Sequence, residues 1–181
     1  MSHSSTERLI DYWRSRKGEA LAPARADIDP TDFPTLLPQV FILGRVGPGD
    51  YVFRLAGGLL GELHGRDLRN VGFSSLWVHS DRIGVQTTLE NARYTGEPAV
   101  LTVMAKAGPQ AVTLEVLLAP LTNPKGEVDR FLGLYQPVTP LSHLRELPID
   151  WLTLASLDKS SPANEDGPRL RLASVSGQLI G

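Results

Sequence analysis

Cysteine is absent from this chain of 181 residues. Its absence excludes disulfides, thiolate metal centres, cysteine nucleophiles and the thiol with which flavin photosensors form a covalent adduct. Long apolar runs are also missing. None approaches the about 20 residues that a membrane-crossing helix requires. The opening MSHSSTERLIDYWRSRKG carries charges where a secretory leader would be apolar. The expectation is a cytoplasmic protein without membrane insertion. Excess charge is scarce as well: a net charge of −2 supplies no bulk attraction to nucleic acid or anionic lipid. His3, His64, His79 and His143 form no i, i+4 pair, so no metal site is expected.

What is present is a globular balance, with 41% hydrophobic and 21% charged residues. The length suits one ordinary domain with extensions. Ser4-x-x-Glu7 ahead of Leu9 and Ile10 reads as a capping box, and Gly18 as a stop. Leu9, Tyr12, Trp13 and Arg16 recur on one side of the helix so predicted, residues 4–17. Its Tyr-Trp face must be buried, either on its own domain or against another subunit. A loop with Pro23, Pro30 and Pro34 follows.

VFILGRV (40–46) and YVFRLA (51–56) read as strands joined through Gly47-Pro-Gly-Asp50. Phe53 and Leu55 alternate with Arg54, which predicts one core face. From Gly57 to Trp77 the pattern changes to short helical pieces. Ser80 or Asp81 can cap a longer helix, 81–95, whose Val85, Leu89 and Ala92 share a face and which Gly96 and Pro98 end. AVLTVMA (99–105), AVTLEVLLAPL (111–121) and VDRFLGLYQPV (128–138) then form consecutive antiparallel strands with turn residues between them. Helices grouped between runs of strands indicate an α+β fold. Residues 158–168 read as a polar, flexible linker or disordered segment, and RLRLASVS (169–176) as a short strand or a floppy tail.

The order of two strands, short helices, one longer helix and three strands resembles a PAS domain. The stretches LIDYWRSRKGEALAPARADIDPTDFPTLLPQVFIL, YVFRLAGGLLGELHGRDLRNVGFSSLW and FLGLYQPV are similar to the small stand-alone PAS family of alphaproteobacteria, formerly a domain of unknown function. The resemblance covers roughly residues 8–140, and Gly58-Leu-Leu-Gly61 is more glycine-rich than in other members. It implies a five-stranded antiparallel sheet with helices cradling one face. The division is then 1–37, N-terminal helix and loop; 38–140, PAS-like domain; and 141–181, C-terminal extension. It also implies sensing or protein interaction rather than catalysis, a homodimer with an unknown signalling partner, and a possible small ligand between sheet and helices. Haem-binding PAS domains usually ligate iron from the long helix, and residues 81–95 contain no histidine.

Glycines 57, 58, 61 and 65 lie at a strand-to-helix junction. They match neither G-x-x-x-x-G-K-[ST] nor G-x-G-x-x-G, so close backbone packing is the expected role. His64 in that junction reads as a packed or surface residue, a polar contact to a pocket ligand, or a base with Asp67 in an isomerase-type proton transfer. The candidate ligand-binding residues are Phe41, Phe53, Leu60, His64, Phe73, Trp77 and Met104, although any small domain needs such residues for its core. Leu9, Tyr12 and Trp13 are the candidate dimer or partner contacts. Arg54, Arg66 and Arg69 form a solvated face or attract an acidic ligand or partner.

Overall fold

Six antiparallel strands in the order β2-β1-β5-β4-β3-β6 form the centre of the computed structural model, which describes residues 2–159. In chain order the elements are α1 (Ser4–Lys17), β1 (Val40–Gly47), β2 (Asp50–Ala56), α2 (Gly58–His64), α3 (Arg82–Thr95), β3 (Ala99–Ala107), β4 (Gln110–Thr122), β5 (Val128–Pro137) and β6 (Trp151–Lys159). Short 3₁₀ turns, including Pro34–Gln39, Phe73–Leu76 and Leu141–Leu144, connect them.

Both sheet faces are covered, and this explains the apolar runs. β4 is buried without interruption from Leu114 to Thr122, as a strand must be when neither face meets water. On the inner face, α2, the 73–76 turn and α3 close over Leu43, Phe53, Leu101, Val103, Leu114 and Phe131. On the outer face, α1 and residues 22–36 cover Ile42, Val100, Leu117, Leu132 and Leu134.

The Tyr-Trp helix therefore docks on its own domain. Leu9 and Trp13, expected as subunit contacts, are 1% and 0% exposed under α1. Trp13 donates its indole N–H to the Pro120 carbonyl at 2.7 Å. Burying so large a side chain stabilises the docked helix by roughly 3 kcal/mol, and the hydrogen bond contributes about 1 kcal/mol more. Tyr12 is half-buried, accepts from the Asp29 amide at 2.9 Å and donates to Asp32 Oδ2 at 2.9 Å.

The start of α1 differs from the capping box. His3, not Ser4, is the N-cap, and its Nδ1 accepts from the Ser5 amide at 3.1 Å. The carboxylate that anchors this helix end comes from the sheet rather than from Glu7. Glu115, 7% exposed, accepts from the His3 amide at 2.9 and 3.0 Å and from the Thr6 hydroxyl at 2.7 Å. A carboxylate at a helix N-terminus also faces the positive end of the peptide dipoles.

Four further expectations are corrected. Leu55 is 48% exposed while Phe53 is buried. Ile42 pairs with Leu55 and Leu43 with Phe53, so Arg54 is an extra residue in β2. Such a bulge shifts the alternation by one, and Leu55 falls on the outer side with Ile42. Asp81 holds the N-cap position of α3, but its side chain makes no capping bond; its Oδ2 accepts from the Leu154 amide at 2.8 Å and fastens β6 instead. β6 is itself the sixth strand, pairing with β3 along its length, where five strands were expected. Asp158 and Lys159, read as the start of a linker, belong to that strand, while the rest of 158–168 and the segment 169–176 lie outside the described residues.

Candidate functional site

The candidate ligand residues converge, with one exception, on the inner face. Phe41 from β1 and Phe53 from β2 lie 5.5 Å apart, ring centre to ring centre. Phe73 approaches both, at 6.0 and 5.8 Å, and touches Trp77 at 5.8 Å. These separations and tilts suit the ring quadrupoles, so the cluster is a cohesive apolar floor. Leu60 and His64 point into it together because positions i and i+4 share one helix face. Met104 is the exception. Leu101, Val103 and Ala105 of β3 face the inner core, so Met104, one residue out of phase, faces the other way; its sulfur accepts from the Thr113 hydroxyl at 3.5 Å.

Two of the four glycines make this geometry possible. A Cβ at Gly57 would collide with the carbonyl oxygens of Leu37 and Pro38, so only glycine lets α2 start against that turn. Gly65 ends α2 with φ of 69°, the left-handed geometry that favours glycine. Gly58 has open space around it, and Gly61 would tolerate a Cβ in ordinary contact. The glycine-rich junction is thus a close packing joint.

His64 is 8% exposed, and a hydrogen bond of 3.0 Å joins its Nε2 to the Tyr135 hydroxyl. Tyr135 is fully buried on β5, and its ring lies 5.6 Å from Phe41. Burial, aided by the Arg66 charge, lowers the His64 pKa to about 4. Burial also pushes the Tyr135 phenol upward. Both groups are therefore neutral near pH 7. Asp67 does not orient His64; its Oδ1 accepts from the Arg69 amide at 3.0 Å. Trp77 contributes the other polar group, an indole N–H that is buried without a hydrogen-bond partner among the described residues.

Tyr135 is the site residue that sequence reasoning missed. Its signal was the alternation Phe131, Gly133, Tyr135 along β5, which places the tyrosine on the same face as Phe131. A second polar group was also missed at the edge of this face. Glu90 of α3 accepts from the Tyr51 hydroxyl at 2.8 Å and pairs with Arg45 at 3.3 Å. Burial alone would raise the Glu90 pKa, but these donors hold it below the ordinary carboxylate value. A separate surface groove of about 590 Å³ is lined by Glu62, Leu63, Leu141, Leu144, Arg145 and Leu147. None of the converging ring residues lines it.

A family model described as "PAS domain" matches residues 1–136. This chain belongs to the PAS-domain family. The match includes α1, so the outer-face helix lies within the matched region rather than ahead of it. No curated protein matches the chain. Among solved structures, 28 chains match. One is described as "Structure of an RNA-binding Light-Oxygen-Voltage Receptor", with 16% identity and a TM-score of 0.47, covering 68% of this chain and 38% of that one. The chain thus spans well under half the length of that receptor chain. In this PAS domain β6 extends the sheet beyond β3, and among the described residues no helix is long and apolar enough to cross a membrane.

Proposed function

We propose that this PAS domain is a sensory module that signals through protein–protein contact and holds any small molecule in its inner face, rather than turning over a substrate. The observation that carries this reading is the state of His64. It is a buried base whose bonding partner is the fully buried Tyr135 hydroxyl, and among the described residues no carboxylate orients it as one orients the histidine of a catalytic triad. Asp67 is engaged elsewhere. The unpartnered Trp77 indole favours a ligand in the same interior. A buried donor left unsatisfied is costly, and a carbonyl-bearing apolar molecule would relieve it.

Self-association belongs to the same proposal, but not through Leu9 and Trp13, which α1 already buries. Ile83 and Tyr94 on α3, 75% and 84% exposed, are the most exposed large apolar side chains among the described residues and offer a contact to a second copy or another signalling protein. Native mass spectrometry of the full chain tests the ligand: a retained small-molecule mass, lost in Trp77→Phe, supports it. Light scattering of wild type against Ile83→Asp/Tyr94→Asp tests the contact. A measured turnover that His64→Gln abolishes would overturn the non-enzymatic reading.

A further inference from the structure

Around Gly44 of β1, α1 and residues 22–36 leave the outer face open, with Val46, Arg54 and Leu55 exposed. Gly44 stands opposite Val52 on β2 and opposite Arg130 on β5. The β2 bulge adds Arg54 to the same face. The two arginine side chains meet over the glycine. The place where a Cβ of residue 44 would sit lies 2.5 Å from Arg54 Nε, 2.6 Å from Arg130 Nη1 and 2.9 Å from Arg54 Cγ. A glycine inside a strand commonly marks a site where another group approaches the backbone. Here the approaching groups are two cations.

Neither cation is neutralised by another described residue. The ion pairs of the described residues are Arg16–Asp32, Arg45–Glu90 and Arg93–Glu90. Neither Arg54 nor Arg130 has a side-chain hydrogen bond to another described residue. Arg54 is exposed and Arg130 half-buried, so solvent and solutes reach both. Two like charges held side by side repel unless an anion lies between them. Guanidinium groups present paired N–H donors in a fixed fork that matches the oxygens of a carboxylate or phosphate. Two forks and a double positive charge suit a dianion better than a single carboxylate, which neutralises only one of them.

We propose that Arg54 and Arg130 form an oxyanion clamp over Gly44 that takes a phosphate group, borne by a small phosphate ester or by a phosphorylated peptide segment. The site lies on the opposite sheet face from His64 and is independent of the function proposed above. Gly44 acts by having no side chain: its bare backbone lets the two guanidiniums converge.

The test is calorimetric titration of the full chain at constant ionic strength with two probes, inorganic phosphate and an acetylated phosphoserine tripeptide amide. Arg54→Gln and Arg130→Gln should each weaken phosphate binding at least tenfold. Gly44→Ala, which retains both arginines but forces them apart, should weaken it similarly while the thermal unfolding curve stays cooperative. Equal affinity for the two probes identifies a free phosphate ester as the ligand source, and tighter tripeptide binding identifies a phosphorylated segment. Binding of either probe that is unchanged in the Arg54→Gln/Arg130→Gln double variant, or no binding in wild type, overturns the proposal.

Discussion

Lowering the pH should destabilise this domain through a single imidazole before its carboxylates titrate. The ordinary His value of 6.5 describes the unfolded chain, and burial brings the native value to about 4. Between those limits the unfolded chain binds a proton that the native chain refuses. Stability is therefore full above pH 6.5, falls as pH drops through this window, and stops falling on account of this group near pH 4. At about 1.4 kcal/mol per pH unit, the complete effect is roughly 3 kcal/mol, and about 2 kcal/mol of it develops between about pH 7.5 and about pH 5. Urea unfolding followed by tryptophan fluorescence at several pH values measures the loss. His64→Gln provides the reference, because its amide can still meet the Tyr135 hydroxyl but does not titrate. Wild type should lose about 2 kcal/mol more than the variant over that interval. Parallel pH curves for the two proteins, or a native His64 proton resonance that titrates near 6.5, would refute the assignment of a desolvated imidazole.

Glu115→Ala should remove three hydrogen bonds at the start of α1, lowering global stability by about 2 kcal/mol and speeding amide exchange in residues 4–8 ahead of the sheet. Trp13→Ala should cost about 3–5 kcal/mol by the urea midpoint. Deleting residues 1–18 should expose Ile42, Leu117 and Leu132, so light scattering should report a larger species; an unchanged or smaller mass would contradict the docking of α1 on its own sheet. Gly57→Ala should lower the thermal midpoint by an amount equivalent to about 1–3 kcal/mol, since the new methyl meets backbone carbonyls that cannot move aside. Gly58→Ala, with open space around the site, should leave stability nearly unchanged or raise it by a few tenths of a kcal/mol.

The elements that could be read from sequence were those marked by local chemistry. β1 through β5 and α3 are bounded by Gly, Pro and Asn turns, and each forms within a residue or two of its expected limits. The elements that could not be read depend on distant partners. The bulge at Arg54 exists only in the pairing of β2 with β1, so the run YVFRLA alone placed Leu55 on the wrong face. Met104 was misplaced although the signal was there: it shares its phase with Thr102 and Lys106, while Leu101, Val103, Ala105 and Ala107 form the buried face of β3. Glu115 lies 109 residues from Thr6, and Tyr135 lies 71 from His64. No spacing rule joins residues so far apart. Sequence alone showed that the Tyr-Trp face of α1 needed cover, but its own sheet and a second subunit supply cover of the same chemistry.

The placement of Asp81 sets a path for mechanical load. Leu154 and Leu152 of β6 are tied to the head of α3 and the segment before it, through the Asp81 carboxylate and the Val78 amide. The other edge of β6 is laced to β3. Tension on the chain beyond Lys159 is thus shared between the sheet and the head of α3, the helix that carries Ile83 and Tyr94 on its outer surface. The C-terminal strand works as a drawbar for that helix: a pull from whatever follows it in the chain would arrive at a helical surface with two bare apolar side chains.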